Sequence, residues 1–388
     1  MLDLNDYFNP VSIDKPEFEY IDRQGSFPHN ISINTESNPV NEIDKFRVAV
    51  FGVPDGRNSP NPGSFKAPDS IRSQIYRLAR IPGKMKIVDL GNMKQGVTFN
   101  DTLAGLADIL AYLFSKKVFP VLLGGSSSLI QAIDIAFSRS KTKYNLAAID
   151  PRICYSHEKK QPAIFNYLNT IAGKSSGFMA HYTNIGYQTY LNDPQVINRF
   201  VRKRSDIVRI GDVRQSIHLM EPLLRDSDAI VLNISSVRQS DAPGTFSPSP
   251  NGFYGEEICL LSRYSGISDR VRVFGIFDIN PEFDVRELTS GLAAQIIWFF
   301  LEGFSQKQFE TPVLGSSVPG RFIKYHVRVT GLEEDIIFIK SCLTERWWLE
   351  IHTEKSGDFH VACSHEDYLQ ANRNEVPDRW IKSVEKLR

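Results

Sequence analysis

Three observations predict a doubly wound, mostly parallel α/β sheet covered by helices on both faces and followed by a small α+β appendage. Short apolar runs alternate with segments of helical spacing between residues 46 and 305. Several of those runs end in loops rich in Gly, Ser, Pro and Asn, the places where open α/β sheets deliver functional residues. Beyond Gln306 the alternation stops and the pattern becomes α+β. The expected organisation is an N-terminal arm over 1–45, the α/β domain over 46–305 and the appendage over 306–388.

The arm is polar, with 30–41 reading as loop. Residues 46–53 form the first strand, rich in Val and Phe. Ile71, Ile75 and Leu78 set a helix over 67–80, and 86–90 is a short strand. Leu103, Leu106, Leu110 and Leu113 carry a helix over 102–117. The apolar strand 118–123 runs through Gly124-Gly125-Ser126-Ser127-Ser128 into a helix over 129–138. Further strands fall at 145–150, 178–185, 207–210, 229–232 and 271–278, with helices at 163–172, 193–202, 217–224, 255–264 and 286–304. In the appendage, 321–329 alternates as a strand, 333–349 reads as an amphipathic helix ending in Trp347-Trp348, 359–363 is a strand, and 377–387 is a helix with Pro in its first turn.

Composition narrows the function classes. Forty-five basic and forty-five acidic residues cancel, so no global field recruits nucleic acid or anionic membrane. Cys154, Cys259, Cys342 and Cys363 are widely spaced, as expected for free thiols in a reducing compartment. The N-terminus lacks the apolar core of a signal peptide, and Gln295 and Glu302 interrupt the most apolar helix. A cytoplasmic protein without nucleic-acid or membrane partners is the expectation. No GxGxxG follows the first strand, which argues against a dinucleotide fold.

Four strand ends should meet in one crevice: Gly124-Gly125-Ser126-Ser127-Ser128, Asp150-Pro151-Arg152-Ile153-Cys154, Asn233-Ile234-Ser235 and Asp278-Ile279-Asn280. Asp150 and Asp278 are candidates for an acid/base pair, or else for a structural ion-pair set with Arg152. Cys154 is a candidate nucleophile activated by Arg152, against the plain reading of a buried thiol. His181 is placed at the crevice, with a scaffold role as its alternative. Ser126 to Ser128 either bind an anion through backbone amides or cap a helix. His352, His360, Cys363 and His365 invite a zinc reading, although a strand would turn His360 and Cys363 to opposite sides. Trp347-Trp348 is expected to pack the appendage on the main domain.

The order GGSSSL, IDPRIC, NISSVRQSDAPGT followed by SPSPNG, and DINPEFD followed by LTSGLAA resembles the arginase, agmatinase and formimidoylglutamase superfamily, with its GGDHSL, DAHxD, DxDxxDPxxxPGT and E-V/I-N-P elements. The formimidoylglutamases of bacteria are the most similar branch. The resemblance covers roughly 46–305 and implies the three-layer α/β/α arginase-like fold and a tendency to form oligomers. It also implies hydrolysis of guanidino or formimidoyl groups by hydroxide bound to two manganese ions. The metal-ligand positions that it implies here are Ser127, Asp150, Arg152, Cys154, Asn233 and Ser235, and Asp278 stands where the family has a substrate-side glutamate. Only Asp150 keeps the family's residue. Hard divalent ions need several anionic oxygens or imidazoles, so no metal cofactor is expected.

Arg152 would then take the metal's electrostatic place, paired with Asp150 and Asp278. The expected function is that of a ureohydrolase-family pseudoenzyme binding a small molecule or protein, often as a homo-oligomer. The alternatives are an active formimidoylglutamase-like hydrolase with a remodelled site, and a structural subunit of an oligomer.

Overall fold

The protein is described by a computed structural model over residues 3–12, 21–158, 162–172, 177–312, 320–352 and 358–385. Ten strands form the central sheet: β1 (Phe8–Asn9), β2 (Ser32–Ile33), β3 (Val48–Val53), β4 (Ile87–Met93), β5 (Phe119–Gly124), β6 (Tyr144–Ile149), β7 (Met179–Tyr187), β8 (Asp206–Arg209), β9 (Ala229–Asn233) and β10 (Val273–Phe277). Their order is β1-β4-β3-β5-β10-β9-β6-β7-β8, with β2 beside β4. Every pairing is parallel except that of β1 with β4.

Alternate residues of each strand feed two separate cores, as a sheet covered on both faces requires. Ala49, Phe51, Leu122, Leu146 and Ala148 face the helices Phe99–Ser115, Gln131–Arg139 and Pro194–Arg202. Val48, Val50, Val121, Leu123, Ala147 and Ile149 face Ala67–Ile75, Gly255–Gly266 and Leu288–Ser305. The two cores sandwich the sheet into three layers. Helix starts are written locally: Thr98 and Asp101 form a capping box before Phe99–Ser115, and Asp193 caps Pro194–Arg202 with Pro at its start. Lys117, at φ 58°, ends the first of these in a left-handed turn.

The arm contributes more than a surface loop. Phe8 packs edge-on against Phe51 at 5.3 Å, and residues 32–33, inside the stretch read as loop, pair with β4. Such two-residue strands are too short for periodicity to reveal.

The appendage carries a four-stranded antiparallel sheet of β11 (Phe322–Val327), β12 (Ile336–Ser341), β13 (Trp347–Ile351) and β14 (Phe359–Cys363), with helices His365–Asn372 and Asp378–Glu385. The helix expected over 333–349 is therefore two strands, joined by a turn with Glu345 at φ 59°. Both faces of this sheet are buried, Ile336 and Phe338 on one and Ile339 on the other, so apolar residues on both faces hid the alternation of two. Neighbours in a strand face opposite ways. Trp348 accordingly lies beneath the Arg225 guanidinium of the main domain, 4.5 Å from it. The Trp347 ring instead stacks on Tyr368 at 4.7 Å inside the appendage, so of the two rings it is that of Trp348 that packs on the main domain.

Arg225 also donates to Trp347 O (3.1 Å) and Cys363 O (3.2 Å). Arg379 joins Asp206 (2.8 Å) to Asp226 (2.6 Å), and Lys382 adds a bond to Asp206 at 3.1 Å. These acids precede or begin β8 and β9. The appendage thus docks at the amino ends of the strands, away from their carboxyl ends. Among the described residues no helix is long and apolar enough to cross a membrane.

Candidate functional site

The carboxyl ends of β6, β9 and β10, with the loops after β3 and β7, surround a cavity of about 140 Å³. Strands β10 and β9 sit between β5 and β6 although they come later in the chain. That crossover gathers distant segments at one place. Asp150, Arg152, Cys154, Asn233, Ser235 and Asp278 line the cavity together with Asn61, Thr245 and an apolar rim that includes Phe165, Leu191, Phe246 and Pro248.

Asp278 is the hub. It follows β10 with φ at 67°, in the left-handed region that aspartate enters more readily than most non-glycine residues. Its Oδ1 accepts from Ser127 N and its Oδ2 from Asn233 Nδ2, both at 2.9 Å. Its carbonyl accepts from Asn61 Nδ2 at 3.0 Å, and Asn280 Nδ2 holds Asn61 Oδ1 at 2.7 Å. Burial raises the Asp278 carboxyl above its usual range, against the hydrogen bonds from Ser127 and Asn233.

Asp150 is 2% exposed. Its Oδ1 accepts from Arg152 N at 2.8 Å, and Cys154 Sγ donates to Oδ2 at 3.6 Å. Burial pushes this carboxyl up to about 7; the Arg152 amide opposes the rise and the nearby Asp278 adds to it. Burial likewise carries the Cys154 thiol well above its usual value, with Asp150 and Asp278 reinforcing the shift. Burial and the two acids favour the plain reading of Cys154 as a buried thiol over a nucleophile activated by Arg152.

Arg152 departs most from expectation. Its guanidinium donates to Leu191 O (3.1 Å) and lies 5.6 Å from the Phe165 ring centre. Among the described residues it forms no ion pair, with Asp150 or with Asp278. Only its backbone N–H reaches Asp150. The Asp150-Pro151-Arg152 turn sends the side chain along the cavity wall toward Leu191 and Phe165 rather than toward Asp150, and Asn184 Nδ2 ties down Arg152 O at 3.1 Å. Burial raises both carboxyls above their usual range, and no arginine clamp holds them charged.

The structure relocates other expected residues. His181 stands level with Asn145 near the start of β6, and its Nε2 is 2.8 Å from Asp206. It belongs to the appendage interface at the opposite end of the sheet. Gly124, Gly125, Ser126, Ser127, Ser128 and Asn280 are buried behind the cavity wall and do not line it. Ser126 Oγ accepts from Ser128 N (3.2 Å) as an N-cap, and Ser127 N is engaged by Asp278. Those amides are therefore occupied, which favours the capping role. A Cβ on Gly124 would stand 2.2 Å from the Phe277 ring. The glycine permits the close approach of β5 to β10. The four zinc candidates are not brought together. His352 and His360 both approach Glu350, at 3.7 and 3.3 Å, on one face of the appendage sheet, while His365 stacks on Trp347 at 5.2 Å across the other.

Sequence reasoning missed Asn61, Thr245 and the apolar rim. Thr245 and Pro248 were marked only by falling within the quoted NISSVRQSDAPGT and SPSPNG runs. Two carboxyl groups already engaged in hydrogen bonds, a high-pKa thiol and a guanidinium do not fit a pair of hard divalent cations. Among the described residues no group of three or more His, Cys, Asp or Glu side chains is arranged to hold a metal ion.

A mostly parallel three-layer sheet with its carboxylates at one crevice defines an arginase-like scaffold, and the comparisons agree. The Arginase family model matches residues 46–151. The formimidoylglutamase of Staphylococcus haemolyticus is 24% identical over 276 residues, covering 68% of this chain and 88% of that protein. The structure of formimidoylglutamase from Bacillus subtilis superposes with a TM-score of 0.66 at 19% identity, covering 77% of this chain and 98% of that one. That of Trypanosoma cruzi formiminoglutamase with Mn2+ gives 0.63 at 14% identity, covering 69% and 96%. Together these likenesses support the arginase, agmatinase and formimidoylglutamase superfamily for this chain.

Proposed function

We propose that this chain is a ureohydrolase-superfamily pseudoenzyme that keeps the crevice as a binding site without dimanganese chemistry. One observation carries the reading. Of the six positions that correspond to metal ligands, Asp150 alone keeps a carboxylate, and Arg152 brings a permanent cation to the cavity. A fixed positive charge beside a carboxyl that burial already holds toward its neutral form repels a divalent ion. The test is the manganese content of the intact chain purified from manganese-rich medium. Substoichiometric metal is expected, and a near-stoichiometric load at the crevice would sink the reading.

A second reading has its own support. A carboxyl pushed up to about 7 has the acidity that general acid–base chemistry requires near neutral pH. On that reading Asp150 serves as base in a metal-independent hydrolysis of a linear amidine. Turnover of formimidoylglutamate or agmatine by the metal-free protein, lost in Asp150→Ala, would establish it over the first.

A further inference from the structure

The cavity's polar groups are largely matched to one another. Asp278 is held by Ser127 and Asn233, Asn233 Oδ1 accepts from Ser235 N at 3.0 Å, and Ser235 Oγ lies 3.0 Å from Thr245 Oγ1. Asn61 is likewise taken up by Asp278 O and Asn280. The exception is Arg152. A guanidinium carries five N–H donors and no acceptor, and Leu191 O is its one hydrogen-bond acceptor among the described residues. The group is half-buried on the cavity wall, beside Phe165. Glu158 and Asp193 line the adjoining groove, and neither forms an ion pair with Arg152.

The unmet demand is thus for an acceptor-only group that answers a planar fork, which is the geometry of a carboxylate. Around that fork the wall is apolar, with Phe165, Leu191, Phe246 and Pro248. A single cation matches a single negative charge. A phosphate dianion would place its second charge against Asp150 and Asp278 with no further cation to answer it. The cavity's volume of about 140 Å³ suits a compact body of roughly benzene size.

We propose that Arg152 anchors a small organic monocarboxylate with a compact apolar body, the carboxylate on the guanidinium and the body against Phe165 and Phe246. This inference rests on the reading of the crevice as a binding site rather than a metal centre. It reverses the ligand charge that a site rich in carboxylates would select.

The experiment is calorimetric titration of the intact, chelator-treated chain with butyrate and benzoate, beside butyramide, benzamide and butylamine as shape-matched neutral and cationic probes. Carboxylates are expected to bind and the others not. Arg152→Gln should weaken carboxylate binding about tenfold or more, since a charge-assisted bond is lost, and Arg152→Lys should restore part of it. Should Arg152→Gln fail to fold, protection of Arg152 in the wild-type chain from phenylglyoxal by butyrate, and not by butyramide, supplies the same evidence. Equal affinity in Arg152→Gln, a preference for butylamine, or no carboxylate binding at millimolar concentrations would overturn the proposal. If manganese is absent and carboxylates still fail, the monocarboxylate inference alone falls. If carboxylates bind only after manganese is restored, the pseudoenzyme reading falls with it.

Discussion

Replacing Asp150 by Asn is expected to stabilise this protein at neutral and alkaline pH. Burial carries the carboxyl from an ordinary 3.8 up to about 7. Each unit corresponds to about 1.4 kcal/mol, so ionising it in the folded state costs on the order of 4 kcal/mol at most. Asparagine keeps the shape and still accepts the Arg152 N–H, without the charge. The sign follows from proton linkage. Between about pH 4 and pH 7 the folded state holds a proton that the unfolded state has released, so this carboxyl's contribution to stability declines through that window and is level above it. The variant lacks that decline. Urea unfolding at about pH 4 and pH 8 measures it: the stability of Asp150→Asn relative to wild type should rise by roughly 2–4 kcal/mol between the two. An unchanged difference, or a variant less stable at pH 8, would refute the picture of a buried, unpaired carboxyl. A true metal ligand would give the opposite result in the presence of its metal, because the substitution would remove binding energy that stabilises the fold.

Two further predictions concern distant parts of the fold. Cys154 is buried with its thiol held protonated, whereas Cys342 is exposed. Iodoacetamide at mildly alkaline pH should label Cys342 readily and leave Cys154 unmodified until the chain is denatured, as peptide mapping would show. Arg379→Ala should destabilise the protein by about 3 kcal/mol, because it leaves Asp206 and Asp226 without the cation that bridges them. Burial alone would raise Asp206, but Arg379, His181 and Lys382 together hold it well below its ordinary value. The stability it contributes is therefore present above about pH 4 and lost as pH falls below that. In acid titration the variant should show a smaller step, because His181 and Lys382 remain, and a step of undiminished size would exclude the assignment.

Much of the fold was legible in the chain. The strand 46–53 and the helix about Leu103 to Leu113 announce themselves by composition and period, because each is decided by residues within a few positions of one another. The appendage shows where that logic fails. Burial on both faces makes Ile336 to Leu349 apolar at helical and strand spacing alike, and only pairing of β12 with β13 separates the two. His181 shows a second failure. The strand expected over 178–185 includes it, but its neighbours in sequence carry no sign that Asp206 stands beside it at the amino end of the sheet.

By itself the sequence determined which groups stand at the strand ends: a serine, an arginine, a cysteine, an asparagine and a serine around Asp150, with Asp278 beside them. Identity at a strand end follows from order along the chain and needs no coordinates. Only the tertiary structure decided how those groups are charged and paired. Whether Arg152 neutralises Asp150 depends on a turn that directs the guanidinium to Leu191 and Phe165, and whether Asp150 holds a proton depends on how much water the fold removes around it. Solvent exclusion and the direction of a side chain are set by contacts between segments far apart in sequence.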